Sequence, residues 1–295
     1  MGMFYQTPDK YRLIRALRPF SYSVAVVNCG LGVVLACIHG ESNTLRAVLV
    51  VVAGVLLQAA CNLVNDYADI VFWKKQSGIL VAGVIKQIRL NCLLAICLTV
   101  VAIAIGIWLS IQTGWYLLAL GTVGVVGGYS YTGYPINYKR LGLGVFATFI
   151  FTGVLMVAGS HYAVCGVWDS KVIWISIPVS LLSSALLFSN EIRDYKDDLS
   201  CSIRTMTVRI GIGLAKVVYG LLLFMVYPVS LWLSWKGWVN NLLYLLPSLL
   251  FIWQPMSLLS RGAGANQLIR LPPLTGRFFL CFGLGFILSV SYGLF

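Results

Sequence analysis

The chain has 295 residues; 59% are hydrophobic, 10% are charged, and the formal net charge is +12 at pH 7. Soluble domains carry roughly 25% charged residues, so this composition excludes an ordinary soluble domain and predicts an integral membrane protein. The positive charge lies in short segments between apolar runs. This pattern disfavours nucleic-acid binding and favours contact with anionic membrane lipid or an anionic substrate.

Apolar runs of about 20 residues predict membrane-spanning helices, and strand-like alternation, which a barrel would require, does not occur. The expected fold class is therefore all-α and polytopic, with one transmembrane domain over residues 1–295 around a central cavity. We place about nine spans, at residues 17–39, 45–65, 91–111, 114–133, 143–164, 171–190, 213–235, 238–259 and 276–294.

Lysine and arginine residues indicate how the spans are oriented. Of these 21 residues, 18 fall on one side of the predicted bundle, and only Arg46, Lys171 and Lys236 fall on the other. By the positive-inside rule, the side with more basic residues is cytoplasmic. The N-terminus and the mouth of the cavity are then in the cytoplasm, and the C-terminus is outside.

The eight cysteines and two histidines show no metal-binding pattern. The cysteines are expected to be reduced thiols that fill space as small apolar residues do. His39 and His161 fall near the outer ends of spans, where an interfacial role is expected.

The chain begins with a basic arm, and the first acidic motif closes the second span. Arg18 and Pro19 open the first span, and Arg18 is a candidate lipid anchor or substrate contact. The second span ends in NLVNDYAD at residues 62–69, the first motif. Steps of three and four residues put side chains on one helix face. The first motif therefore offers a ladder of oxygen ligands, formed by Asn62, Asn65, Asp66 and Asp69.

Two further stretches lie on the same predicted side as the first motif. Residues from about 66 to 90 hold Lys74 and other basic residues among apolar ones, which would suit a lid loop over the cytoplasmic mouth. The fourth span ends near Tyr129 and Tyr131, whose aromatic faces can stabilise a cation. Lys139 follows on that side.

The sixth span closes in NEIRDYKDD at residues 190–198, the second motif. Steps of four align Asn190, Asp194 and Asp198 on one helix face. Residues from about 191 to 212 are expected to form a second lid loop. Together the two motifs hold six of the nine acidic residues, so the acids are concentrated at one level of the bundle.

Acidic side chains at the end of a membrane helix need a physical reason. Each motif alone is also compatible with solvated helix ends or salt bridges, but two matched ladders favour a binding site. Carboxylate and amide oxygens without histidine or cysteine suit Mg²⁺, which prefers a few carboxylates together with phosphate oxygens and water. Two ladders that face one cavity would hold a diphosphate through metal ions.

The two motifs, in this order, resemble those of the UbiA superfamily of intramembrane prenyltransferases, and the resemblance covers nearly the whole chain. RTMTVRIG at residues 204–211 extends the likeness beyond the second motif. Within the superfamily, the Asn-x-x-Arg-Asp form of the second motif and SGILVAG at residues 77–83 look most like the 1,4-dihydroxy-2-naphthoate polyprenyltransferases of menaquinone biosynthesis. The RP pair at residues 18–19 and GLG at residues 142–144 also resemble this group.

The resemblance implies Mg²⁺-dependent transfer of a polyprenyl group from polyprenyl diphosphate to an aromatic acceptor in the bacterial inner membrane. The implied catalytic acids are Asp66, Asp69, Asp194 and Asp198. The implied metal ligands are Asn62, Asn65, Asp66 and Asp69 for one ion and Asn190, Asp194 and Asp198 for another. The implied substrate contacts are Arg18, Asn62, Asn65, Lys74, Lys139, Asn190 and Arg193, together with Tyr129 and Tyr131, which would shield an allylic cation.

The chain departs from the family pattern at three points. Trp73 stands where many relatives have a third acid, Val145 replaces a common glutamate, and the segment after Asp69 is short. These differences concern the acceptor, for which 1,4-dihydroxy-2-naphthoate is favoured and 4-hydroxybenzoate is the alternative.

Two other classes of membrane protein use intramembrane acids. CDP-alcohol phosphotransferases have Asp ladders and Mg²⁺, but their Asp-Gly-x-x-Ala-Arg run is absent here. A cation transporter would place its carboxylates near mid-span, whereas these acids cluster at one cytoplasmic level. Prenyl transfer is therefore the favoured hypothesis for the function.

Overall fold

The structure is a computed structural model that describes residues 8–40, 43–74, 78–259 and 265–291. Within those ranges it consists of helices and connecting turns and contains no strand. The helices of ten residues or more, numbered in chain order, are α1 Tyr22–Ile38, α2 Thr44–Tyr67, α3 Ile79–Thr113, α4 Trp115–Ser130, α5 Leu155–Cys165, α6 Ile177–Arg193, α7 Ile212–Trp235, α8 Ser248–Ser257 and α9 Leu271–Ser291. Shorter helices lie at Pro8–Tyr11, Leu13–Ala16, Pro19–Ser21, Ile70–Trp73, Gly144–Thr148, Phe149–Val154, Lys171–Ile175, Tyr195–Ser200, Met206–Ile210, Leu242–Leu245 and Ala265–Leu268.

Six helical segments of the described chain are long and apolar enough to cross a membrane. They are Leu13–Ile38, Thr44–Tyr67, Leu80–Thr113, Gly144–Cys165, Ile212–Trp235 and Leu271–Ser291. α4 and the segment Leu242–Ser257 are apolar but shorter, and α6 has 17 residues with several buried serines. The all-helical membrane fold is confirmed, whereas the count of nine spans stays a prediction.

The residues predicted to form the first lid loop are largely helical. α3 begins at Ile79 rather than near residue 91, and Ile70–Trp73 forms another helical turn. With 35 residues, α3 is about 50 Å long at 1.5 Å per residue, which is ~20 Å longer than the hydrocarbon core of a bilayer. Gly78 and Gly114 bound it with φ of 133° and 126°, a backbone region that other residues rarely adopt. The predicted loop is therefore mainly an extension of a long helix.

The second predicted lid segment is also partly helical, because it contains Tyr195–Ser200 and Met206–Ile210. Whether either segment acts as a lid stays a prediction.

The main hydrophobic core lies among α1, α5, α6, α7 and α9. α1 packs against α5 and α9, α6 packs against α7 and α9, and α2 packs along α3. Large apolar side chains such as Leu93 and Val100 of α3 are each 59% exposed. An apolar outer face of this kind is expected of a helix that contacts lipid. This packing brings the C-terminal ends of α2 and α6, which carry the acidic motifs, to the same end of the bundle.

The opposite end of the bundle holds both histidines. His161 in α5 is only 1% exposed, and its Nε2 lies 3.3 Å from Nδ1 of His39. His39 Nε2 lies 3.0 Å from Oδ2 of Asp169. Packing of α1 on α5 thus encloses the ring of His161, and the interfacial position of the two histidines stays a prediction.

Candidate active site

The two acidic motifs converge at one end of the bundle. The first ends α2 and the second ends α6, and Asp66 of the first motif interacts electrostatically with Arg193 of the second. Asp194 interacts with Lys10, which precedes α1, and with Lys139, which follows α4. Charged groups from four distant parts of the chain thus surround one region.

Asp66 is the most enclosed acid of the first motif, with 1% of its side chain exposed. Arg18 Nη2 lies 2.5 Å from its Oδ1, whereas Oδ2 is buried and has no hydrogen-bond partner. Arg18 has a φ of 47°, a left-handed conformation that is costly for a residue with a Cβ. Such conformations cluster at functional sites, and this one occurs at the residue whose guanidinium pairs with Asp66.

Asn62 holds the turn that carries Arg18. Its Nδ2 donates to the Leu17 carbonyl at 2.9 Å and to Ser21 Oγ at 2.7 Å. Asn65 is half-buried on the same helix. The structure thus adds a bracing role for Asn62, while the ligand role of both asparagines stays a prediction.

Asp69 is engaged by the N-terminal segment. Lys10 Nζ lies 2.7 Å from Asp69 Oδ2, and the Tyr11 hydroxyl donates to the same oxygen at 3.0 Å. Trp73 Nε1 donates to the Tyr11 hydroxyl at 3.0 Å. Nothing in the sequence pointed to Lys10 and Tyr11, because residues 59 and 58 positions from Asp69 have no spacing pattern that ties them to the motif.

Asp194 of the second motif forms a two-point pair with its neighbour. Arg193 donates from Nε to Asp194 Oδ1 and from Nη2 to Oδ2, each at 2.7 Å. Burial works to raise the pKa of Asp194, but the guanidinium outweighs it and holds that pKa well below its usual range. Asp194 is therefore ionised at neutral pH.

Asp198 and Asn190 offer less neutralised oxygens. Asp198 is buried and accepts from Thr205 Oγ1 at 3.3 Å. Burial raises the pKa of Asp198 to about 6; Lys139 opposes the rise, and Asp194 adds to it. Asn190 donates to the Leu186 carbonyl at 3.1 Å, and its Oδ1 is buried without a partner.

Glu191 is a buried acid to which sequence analysis assigned no role. Its Oε2 accepts from Thr207 N at 3.1 Å and from Thr207 Oγ1 at 3.4 Å, and its Oε1 is buried without a partner. A Cβ on Gly144 would lie 3.3 Å from Oε1 and 3.2 Å from the Tyr131 ring. Its place beside Asn190 in an acidic motif was the signal that could have identified it.

Of the predicted basic and aromatic contacts, Tyr131 and Lys139 lie at the second motif. A Cβ on Gly144 would contact both the Tyr131 ring and Glu191 Oε1, and Lys139 interacts electrostatically with Glu191 and Asp198. Tyr129 is 62% exposed. Lys74 is also exposed, at the end of Ile70–Trp73. Among the described contacts, none joins Tyr129 or Lys74 to the acids.

The donor atoms of the two motifs fit a hard cation. Asp66 Oδ2, Asn190 Oδ1 and Glu191 Oε1 are buried oxygens without hydrogen-bond partners, and oxygen ligands are those that Mg²⁺ prefers. In the described part of the chain, no three acidic, histidine or cysteine side chains are grouped closely enough to hold one ion. Several of the carboxylates are paired with lysine or arginine instead.

Comparison with known proteins shows which family the chain resembles. The model of the UbiA prenyltransferase family matches residues 25–292. A 1,4-dihydroxy-2-naphthoate octaprenyltransferase of Bacillus subtilis is 28% identical over 199 residues, which are 66% of this chain and 64% of that protein. Human UbiA prenyltransferase domain-containing protein 1 is 28% identical over 293 residues, which are 94% of this chain and 82% of that protein.

Solved structures of low sequence identity share the fold. A UbiA homologue from Archaeoglobus fulgidus, bound to GPP and Mg²⁺, has a TM-score of 0.62 at 14% identity, and the match covers 93% of this chain and 99% of that one. A digeranylgeranylglyceryl phosphate synthase has a TM-score of 0.61 at 15% identity, covering 96% and 98%. With the family model spanning most of the chain, this protein belongs to the UbiA prenyltransferase family.

Proposed function

We propose that this protein transfers a polyprenyl group from polyprenyl diphosphate to 1,4-dihydroxy-2-naphthoate, with loss of carbon dioxide and diphosphate, in menaquinone biosynthesis. The observation that carries the proposal is that Asp66, Asn190 and Glu191 each have a buried oxygen without a hydrogen-bond partner, while Lys10 and Arg18 pair with acids of the first motif. Buried polar atoms without partners are costly. A bound cation would satisfy them, and the neighbouring basic groups would meet an anion.

Magnesium ions are the proposed cations. Asp66 and Asp69, with the oxygens of Asn62 and Asn65, would hold one ion, and Asn190, Asp194 and Asp198 would hold a second. The ions would neutralise the negative charge that grows on the diphosphate as the allylic carbon–oxygen bond breaks.

The basic side chains of the site would bind diphosphate oxygens by charge-assisted hydrogen bonds. Arg18 and Arg193 are held beside the two motifs by Asp66 and Asp194, and Lys139 interacts with the second motif. Lys74 remains a proposed contact from an exposed position.

The bond changes of the proposed reaction balance without a redox partner. The carbon–oxygen bond of the donor breaks, and its electron pair leaves with the diphosphate. The allylic cation is shielded by the ring of Tyr131, with Tyr129 as a second proposed aromatic contact. A ring carbon of the acceptor forms the new carbon–carbon bond, and the carboxylate on that carbon leaves as carbon dioxide, returning an electron pair to the ring.

The acceptor assignment draws on the relatives as well as on the sequence. Proteins named 1,4-dihydroxy-2-naphthoate octaprenyltransferase match this chain at about the same identity as those named UbiA prenyltransferase domain-containing protein 1. A different aromatic acceptor, such as 4-hydroxybenzoate, is the alternative.

We also propose nine spans in the bacterial inner membrane, a cavity that opens to the cytoplasm, a cytoplasmic N-terminus and an outer C-terminus, on the basis of the charge distribution.

A competition assay tests the acceptor. Membranes that contain the protein are given labelled polyprenyl diphosphate, Mg²⁺ and equal concentrations of both acids. The expected main product is the prenylated naphthoquinol or its quinone, formed with release of carbon dioxide. A dominant prenylated hydroxybenzoate that keeps its carboxylate would overturn the acceptor while leaving prenyl transfer intact; no prenylation of any aromatic acid would overturn the function itself.

A further inference from the structure

The segment before α1 packs against the first acidic motif. Tyr11, the last residue of Pro8–Tyr11, is completely buried in a cluster that includes Trp73, Val84 and Ile88. Asn91 Nδ2 of α3 donates to the Tyr11 carbonyl at 2.9 Å. Both the side chain and the backbone of Tyr11 are therefore fixed. The neighbouring Lys10 side chain thus extends from a fixed point of the backbone.

A directed chain of hydrogen bonds runs through Tyr11. The indole of Trp73 can only donate and the carboxylate of Asp69 can only accept. The Tyr11 hydroxyl therefore accepts a hydrogen bond from Trp73 and donates one to Asp69, each at 3.0 Å. An acidic side chain at residue 73, deprotonated, would offer no donor to this hydroxyl. Trp73 thus acts as a positioning residue for the N-terminal segment.

Lys10 contacts the first motif, and its charge also acts on the second. Its Nζ is 2.7 Å from Asp69 Oδ2, and 33% of its side chain is exposed. Its charge also interacts with Asp66 of the first motif and with Asp194 and Asp197 of the second. The ammonium group of Lys10 therefore brings positive charge to both motifs.

The chemistry of the ammonium group indicates what Lys10 does there. A cation bound by Asp69 would compete with Lys10 for the same oxygen. The ammonium has three donors, and a diphosphate bound between the motifs would provide acceptor oxygens within its reach. Lysine is a common phosphate-binding residue because its charge is compact and its stem is flexible.

From this placement we infer that Lys10 is a diphosphate-binding residue for the prenyl donor, carried into the site by the N-terminal segment and positioned by Tyr11 and Trp73. The inference rests on the proposed function, because it takes the donor to be a prenyl diphosphate. It extends that function to a part of the chain that lies before the residues matched by the family model.

Calorimetric titration of the full-length protein in detergent with geranyl diphosphate and Mg²⁺ tests the inference. Lys10→Ala should weaken binding by at least about tenfold, the loss expected for a hydrogen bond to a charged group. Lys10→Arg should restore most of the affinity. Tyr11→Phe, which keeps the ring but removes the hydroxyl, should weaken binding severalfold and raise KM more than it lowers kcat.

The matched control is Arg12→Ala, which removes the same charge from the same segment. The Arg12 side chain is 75% exposed and pairs with Asp9, so its loss should leave donor affinity unchanged. If wild-type protein binds the donor and Lys10→Ala binds it equally or more tightly, Lys10 only braces Asp69 and the inference fails. A wild-type protein that does not bind geranyl diphosphate would instead overturn the proposed function, and this inference with it.

Discussion

At the scale of single residues, the acids of the candidate site differ in how far basic neighbours neutralise their charge. Asp194 is neutralised at two points by Arg193, and Asp69 is neutralised by Lys10. Asp66 keeps one oxygen buried and unpartnered, and Asp198 has no basic partner within salt-bridge distance among the described contacts. We expect the less neutralised oxygens to be the ones that respond most to a cation.

Asp66→Asn should lower prenyl transfer by at least about a hundredfold, since a loss of this order follows removal of one preorganised group that stabilises developing charge. The variant keeps the shape of the side chain, so the protein should still insert and retain its helical content by circular dichroism. Asp9→Asn, at a side chain that is 44% exposed, is the control and should retain activity. Near wild-type turnover of Asp66→Asn, or activity that persists in EDTA, would contradict the metal assignment.

Asp198 gives the site a pH dependence. Its pKa is raised from 3.8 to about 6 mainly by burial, so the ionised form is disfavoured in the folded protein. The stability that protonated Asp198 gives the folded protein is therefore fully present below pH ~4. It is lost as the pH rises through about 6 and the side chain ionises. Because the proposed Mg²⁺ ligand is the ionised form of Asp198, the increase in melting temperature caused by Mg²⁺ and geranyl diphosphate should be larger at pH 7.5 than at pH 5.

The Asp198→Asn variant is the reference for this effect, since it cannot titrate at residue 198. Its Mg²⁺-dependent shift in melting temperature should be smaller than that of the wild type and should change less between the two pH values. An equal pH dependence in both proteins would assign the effect to another group.

At the scale of helices, close approach between α1 and α5 sets the position of the main core. A Cβ on Gly32 of α1 would lie 2.5 Å from the Val157 carbonyl oxygen and 2.7 Å from Ser160 Cβ. The first of these is a backbone atom that cannot move aside. Small residues allow such contacts between membrane helices, and here the contact holds α1, which follows the Arg18 turn, against α5.

Gly32→Ala should therefore lower the stability of the protein by about 1–3 kcal/mol, the usual cost of overpacking. Thermal unfolding in detergent measures the change. Gly30→Ala on the same helix is the matched control, because its Cβ would meet only Ile287 Cδ1 at 3.4 Å. Equal melting temperatures for the two variants would show that α1 can shift away from α5.

At the scale of the whole molecule, the acidic motifs and the paired histidines lie at opposite ends of the bundle. α2 runs from the end near His39 to Asp66, and α6 runs in the same direction from the end near Asp169 to Arg193. This arrangement, together with the basic residues near the motifs, predicts that the acidic end faces the cytoplasm.

Two exposed serines report the orientation. In a variant without native cysteines, Ser170→Cys at the histidine end should react with a membrane-impermeant maleimide added to intact cells. Ser200→Cys, after the second motif, should react only once the membrane is permeabilised. The reverse pattern would put the acidic motifs outside and break the positive-inside argument.

The sequence by itself determined the class of fold and the two acidic motifs. Composition required apolar helices, and helix geometry predicted that residues three and four apart would share one face. The structure ends α2 at Tyr67, before Asp69, and places Asp198 in the separate helix Tyr195–Ser200. The resemblance to UbiA prenyltransferases rested on those same local patterns, and the family match bears it out.

Only the tertiary structure decided which groups meet the acids. Lys10 lies 59 positions from Asp69, and Arg18 lies 48 positions from Asp66. Contacts over such distances depend on how α1, α2 and α3 pack, and helical periodicity carries no information about that packing. For the same reason, the burial of Glu191 against Thr207 and the exposed position of Tyr129 became visible only in the folded chain.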